Sequence, residues 1–116
     1  MIGEVMKMDE ILKQSLLYDF YGELLTDHRK EIYEQFIVED LSLSEIAQDA
    51  GISRQGVHDL IKRCNKTLEE YEEKLHLVEK FLNIKDKVHQ IDSLLEENQP
   101  RISEIKKISS EIIEEL

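Results

Sequence analysis

The residues whose types and spacing could do chemistry lie in one short stretch: Ser53, Arg54, Gln55, His58, Lys62 and Arg63. Guanidinium and carboxamide groups can make paired hydrogen bonds to base edges, and ammonium groups neutralise phosphates. Arg54 and Gln55 stand in the first turn of a predicted helix, where side chains reach into a major groove. Lys62 and Arg63, two turns on, suit phosphates better. His58 lies between them on the same outward face. The chemistry indicated is nucleic-acid contact; the alternative is an ordinary solvated polar face.

Charge supports the first reading. The 116-residue chain carries a formal net charge of −11, which opposes generic nucleic-acid affinity. Residues 53–66, however, hold four basic and one acidic side chain. The segments on either side are all net negative. A lone positive island in an acidic chain favours a directed contact over sequence-blind coating.

Other chemistries have weaker support. The four glycines, Gly3, Gly22, Gly51 and Gly56, form no phosphate-binding loop. Glu73 with His76 and Asp86 with His89 are Glu/Asp-x-x-His pairs of the kind used in di-iron bundles. They would sit about 20 Å apart on one helix and lack bridging carboxylates. Cys64 falls on an apolar seam, which makes it a small buried residue rather than a nucleophile. The run Glu69, Glu70, Glu72, Glu73 reads as a solvated face or as a docking surface for a basic partner. No catalytic residues, metal ligands, cofactor or small-molecule substrate are expected.

The elements that must position the cationic residues are legible around them. Ser42 and Glu45 have the spacing of a capping box. Leu43, Ile46 and Ala47 form one inward stripe. Gly51 stands where a tight turn needs positive φ. Ser53 can cap a second helix, whose inward stripe is Val57, Leu60 and Ile61. Cap, turn and cap at these intervals predict a helix-turn-helix over 42–63. Gly56 inside the second helix costs about 1 kcal/mol relative to alanine, so either a backbone approaches there or the cost is tolerated.

The rest of the chain is helical by composition, with one proline and few glycines. A first helix is expected from about Met8 to Leu25, after a frayed start at residues 1–7. Its aromatic residues Tyr18, Phe20 and Tyr21 are better suited to core packing than to base stacking. Thr26 caps a second helix, about Asp27 to Glu39. Beyond Ser53 no breaker occurs before Pro100. Val57, Ile61, Cys64, Leu68, Tyr71, Leu75, Val78 and Leu82 alternate steps of four and three, a heptad seam. Ile84, Val88, Ile91 and Leu95 continue it in a shifted phase. One long arm is predicted, bent near Asn83. Pro100 then opens a last helix, with Ile102, Ile105, Ile108, Ile112, Ile113 and Leu116, which can fold back antiparallel on the arm.

With these motifs in place, the chain resembles the YlxM family of small bacterial helix-turn-helix proteins. The resemblance rests on Leu17-Tyr18-Asp19-Phe20-Tyr21, Leu24-Leu25-Thr26, Ser42-Leu43-Ser44-Glu45-Ile46-Ala47 and Ser53-Arg54-Gln55-Gly56-Val57-His58-Asp59. It continues through Ile61-Lys62-Arg63 and Tyr71-Glu72-Glu73-Lys74-Leu75, and covers residues 16 to 82. The middle portion is also similar to the promoter-reading region 4 of bacterial sigma factors. Gly56 and His58 depart from the family pattern, which has alanine and tyrosine there. The resemblance implies a non-enzymatic cytoplasmic protein associated with the signal recognition particle and its receptor GTPase.

The expectations are therefore specific. The fold is all-α: a helix-turn-helix domain over 1–66, then a helical arm and C-terminal helix over 67–116. The site is Ser53, Arg54, Gln55, His58, Lys62 and Arg63. The partner is DNA, or the RNA or protein of the signal recognition particle, and the alternative function is a protein-binding accessory factor without DNA binding. The lack of a membrane-length apolar run, the lack of a signal-peptide pattern and the single cysteine point to the cytosol. A homodimer through the C-terminal helices would bury the unmatched seam.

Overall fold

The computed structural model describes residues 2–116, with side chains from Glu10 onward. Among the described residues there are six α-helices, one short 3-10 turn and no strand. The all-α class is as expected. The helices are α1 (Ile2–Tyr21), α2 (Asp27–Ile37), α3 (Leu43–Ala50), α4 (Arg54–Leu75), α5 (Leu77–Leu95) and α6 (Ile102–Glu115), with the 3-10 turn at Gly22–Leu24. The stretch expected to fray is helical from Ile2, and Met1 lies outside the described residues. The chain divides into two compact units, Met1–Leu75 and His76–Leu116.

The first unit is built around α4, which packs on α1, α2 and α3. Its inward row Val57, Ile61, Cys64 and Leu68 is buried, with Ile32 and Tyr33 of α2 and Ile46 and Ala47 of α3. Leu17, Tyr18 and Tyr21 of α1 are buried too. Three tyrosine hydroxyls fasten the helices. Tyr18 donates to Glu34 Oε1 at 2.6 Å, Tyr21 donates to Glu72 Oε1 at 2.5 Å, and Tyr33 donates to Asn65 Oδ1. The ring of Tyr18 lies 5.5 Å from that of Tyr33, and the ring of Tyr21 stacks 6.0 Å from Tyr71. The aromatic cluster of α1 is thus core, apart from half-exposed Phe20. Burial raises both the Tyr33 and Tyr18 hydroxyls above the usual phenol range, with the Glu34 carboxylate adding to the effect at Tyr18.

One expectation fails in detail. The seam from Val57 to Leu82 predicts a helix continuous to Asn83, but α4 stops at Leu75. His76 takes a left-handed conformation (φ 55°) and α5 begins at Leu77. The Nδ1 of His76 lies 3.1 Å from Glu79 Oε2 in the first turn of α5. Heptad spacing counts residues and cannot register one whose backbone reverses hand.

The second unit is an antiparallel hairpin of α5 and α6. Asn83 Nδ2 donates to Glu115 Oε1 at 3.2 Å, and Lys87 Nζ lies 3.8 Å from Glu111 Oε2. At the turn, Arg101 bridges Glu97 and Glu104, at 3.0 and 3.2 Å. Pro100 was expected to be the first residue of the last helix. That helix starts instead at Ile102, because Arg101 has non-helical angles. Leu94, not Leu95, is the buried residue at the end of α5.

Candidate nucleic-acid interface

The corner that presents the cationic residues is fixed by local hydrogen bonds. Ser42 Oγ accepts from the Glu45 N–H at 3.1 Å, and Glu45 Oε1 accepts from the Ser42 N–H at 3.3 Å, completing the capping box. The N–H groups of Gly51 and Ile52 both donate to the Ala47 carbonyl, at 3.0 and 3.2 Å. Gly51 has φ +70°, a conformation that costs glycine nothing. Ser53 Oγ then accepts from the Gly56 N–H at 2.9 Å, and α4 begins. α3 packs on α4, and Ile46, Ala47, Val57 and Ile61 on their inward sides are all buried.

Arg54, Gln55, His58, Lys62 and Arg63 are all exposed on the first turns of α4. Ser53 is exposed as well, but its hydroxyl is committed to the cap. The expected residues therefore share one helix surface, five offering side chains and the sixth setting where the helix starts. Asp59 sits among them. Its Oδ1 accepts from Gln55 Nε2 at 3.0 Å and lies 3.7 Å from His58 Nδ1. One of the two Nε2 hydrogens is engaged in this way, which leaves Gln55 its second N–H and its carbonyl oxygen for a partner.

Packing adds residues that the sequence analysis did not include. A groove of ≈ 640 Å³ runs between α1 and α4, lined by Lys13, Lys62, Arg63 and Lys66 with Glu10, Asp59 and Glu69. A smaller recess of ≈ 250 Å³ brings half-buried Arg29 of α2 to Gly56, Asp59 and Arg63. Lys66 could have been found by extending the Lys62 row by one turn. Lys13 and Arg29 left no such signal, because their nearness to α4 depends on how the helices cross.

Gly56 has a local explanation. A Cβ there would lie 3.1 Å from Ser53 Oγ and 3.9 Å from Ile52 Cδ1. The close neighbour is the capping hydroxyl, not the backbone of α3. Cys64, the only cysteine, is fully buried behind this surface. Burial pushes its thiol up, and the Arg29 charge partly opposes that. Its place is in the packed core of the first unit.

The metal-ligand pairs noted in the sequence are engaged singly. His76 pairs with Glu79, and Asp86 accepts from Gln90 Nε2 at 2.8 Å. Among the described residues no three His, Cys, Asp or Glu side chains converge on a point. No helix among them is long and apolar enough to cross a membrane.

A family model described as "Putative helix-turn-helix protein, YlxM / p13 like" (UPF0122) matches residues 8–108. The chain belongs to the UPF0122 family. The match runs past Leu82, where the resemblance seen in the sequence ended, and takes in α5 and half of α6. Relatives agree. A UPF0122 protein of Thermoanaerobacter sp. strain X514 is 46% identical over 110 residues, 93% of this chain and 94% of that protein. One from Caldanaerobacter subterraneus subsp. tengcongensis is 51% identical over 83 residues, 72% of this chain and 71% of the relative. Another from Acetivibrio thermocellus is 49% identical over 84 residues, 72% of each chain.

Proposed function

We propose that this UPF0122 protein is a non-enzymatic, cytoplasmic helix-turn-helix regulator that holds nucleic acid along the first three turns of α4. One observation carries the reading. The only net-positive stretch of an acidic chain forms the exposed side of the second helix of a capped helix-turn-helix. In this reading Arg54 and the carboxamide of Gln55 would meet base edges, and Lys62, Arg63, Lys66 and Lys13 would meet phosphates. Carboxylates in the same groove weaken loose binding, so a partner must satisfy several contacts at once.

The test is duplex binding titrated against salt. Affinity is expected to fall linearly on a log–log plot against salt concentration, as counterion release requires. Lys62→Ala should weaken binding to all sequences and make that slope shallower by about one. Arg54→Ala should relax sequence preference. Unchanged affinity in both variants ends the proposal.

A finer form follows from the family resemblance. The partner would be the RNA of the signal recognition particle, with the exposed carboxylates Glu69, Glu70 and Glu73 further along α4 meeting a basic protein. Co-purification with the particle, and receptor GTPase rates measured with and without this chain, separate this form from duplex DNA binding. The absence of both association and a rate change would remove it.

A further inference from the structure

We propose that the second unit is a dimerisation module, in which a second copy of this chain docks antiparallel on α6 about a two-fold axis at Ser109. Along one side of α6 and its C-cap stand Ile102, Ile105, Ser109, Ile113 and Leu116, at steps of three, four, four and three. The steps are the same read from either end. Turning a second helix end for end about Ser109 sets Ile102 against the second copy's Leu116, Ile105 against its Ile113, and serine against serine. A two-fold interface must be self-complementary in this way. A foreign partner imposes no such symmetry on an apolar stripe.

The residues of this row are open to contact. Ile102 is 54% exposed, Ile113 70% and Leu116 87%. Ser109 is exposed and Ile105 half-buried. The small serine at the centre lets two helix backbones approach where they cross. α5 adds exposed apolar residues near the same axis. The Asn83–Glu115 and Lys87–Glu111 pairs set the register of the hairpin, so Val88 lies level with Ser110, beside the proposed axis. Val88 is 45% exposed and Leu95, two turns on in the same row, 54%. The polar pairs occupy one edge of the hairpin. The exposed apolar residues of both helices share the other.

The hairpin also needs such a partner. No residue of α6 is fully buried within one copy. Isolated helices of this length are marginal in water, and a two-helix unit of about 40 residues rarely supplies a sufficient core. A second hairpin completes a four-helix bundle. The dimer then carries two helix-turn-helix corners, the usual requirement for reading paired half-sites.

The full chain at micromolar concentration should sediment at twice its monomer mass. Ser109→Cys under mild oxidation should give a covalent dimer, since native Cys64 is buried. Lys107→Cys, exposed on the opposite side of α6, should cross-link far less. Ile113→Glu should sediment as a monomer while its circular dichroism still reports folded α1–α4. A monomeric wild type, equal cross-linking at 107 and 109, or a dimeric Ile113→Glu each overturns the proposal.

Discussion

In the first unit, α4 hides Val57, Ile61, Cys64 and Leu68 completely and turns Arg54, His58, Lys62 and Arg63 to solvent. In the second unit, α6 carries five isoleucines and fully buries none. Both helices are amphipathic, yet one is satisfied within its own unit and the other is not. The difference lies in the number of neighbours. Three helices cover α4, whereas α5 alone packs on α6 within the hairpin. A satisfied helix can spend its outer side on charge. An unsatisfied one presents apolar surface, and that surface calls for a partner.

The largest test of this contrast is core truncation. Leu68→Ala should cost about 2–5 kcal/mol in denaturant unfolding, as expected for a fully buried leucine. Ile108→Ala on half-buried α6 should cost clearly less when the protein is held monomeric. Equal losses would mean that the two units do not differ as described. Next comes separation of function: Arg54→Ala should lower duplex affinity about tenfold without moving the unfolding midpoint. Ser53→Ala should cost about 1 kcal/mol, because the Gly56 N–H loses its cap.

Alkaline titration sharpens the comparison further. Tyr33 lies in the core of the first unit, and its hydroxyl is raised from the ordinary value of 10.0. Above about pH 10 the unfolded chain therefore loses this proton first and holds fewer protons than the native state. Stability should fall as pH rises through that range, and Tyr33→Phe should make the fall shallower. An unaltered pH profile would count against the burial effect. The smallest effect is expected at Gly56→Ala. Alanine restores up to about 1 kcal/mol of helix propensity, but its Cβ would lie 3.1 Å from the Ser53 hydroxyl that caps this same residue, and displacing that hydroxyl costs about as much. A melting midpoint within about a degree of the wild type is the expected reading.

Much of the site was legible because its determinants are local. Ser42 with Glu45, Gly51 and Ser53 act on backbone groups within a few residues, and the chain spells those intervals out. The break at His76 was not legible. No glycine or proline marks it, and a left-handed histidine costs about 1–2 kcal/mol, which helix propensity argues against. The choice of Leu94 over Leu95 was equally closed to a heptad count, since it depends on which side of α5 meets α6.

The amino-acid order alone determined an all-helical chain, the capped corner and the position of its positive stretch, because helix propensity, caps and charge are properties of near neighbours. Tertiary structure alone decided that Lys13 and Arg29 stand beside α4, that Asp59 engages Gln55 within the cationic surface, and that α6 is left half covered. Those outcomes depend on crossing angles between helices, and such angles are set by contacts between residues far apart in the chain.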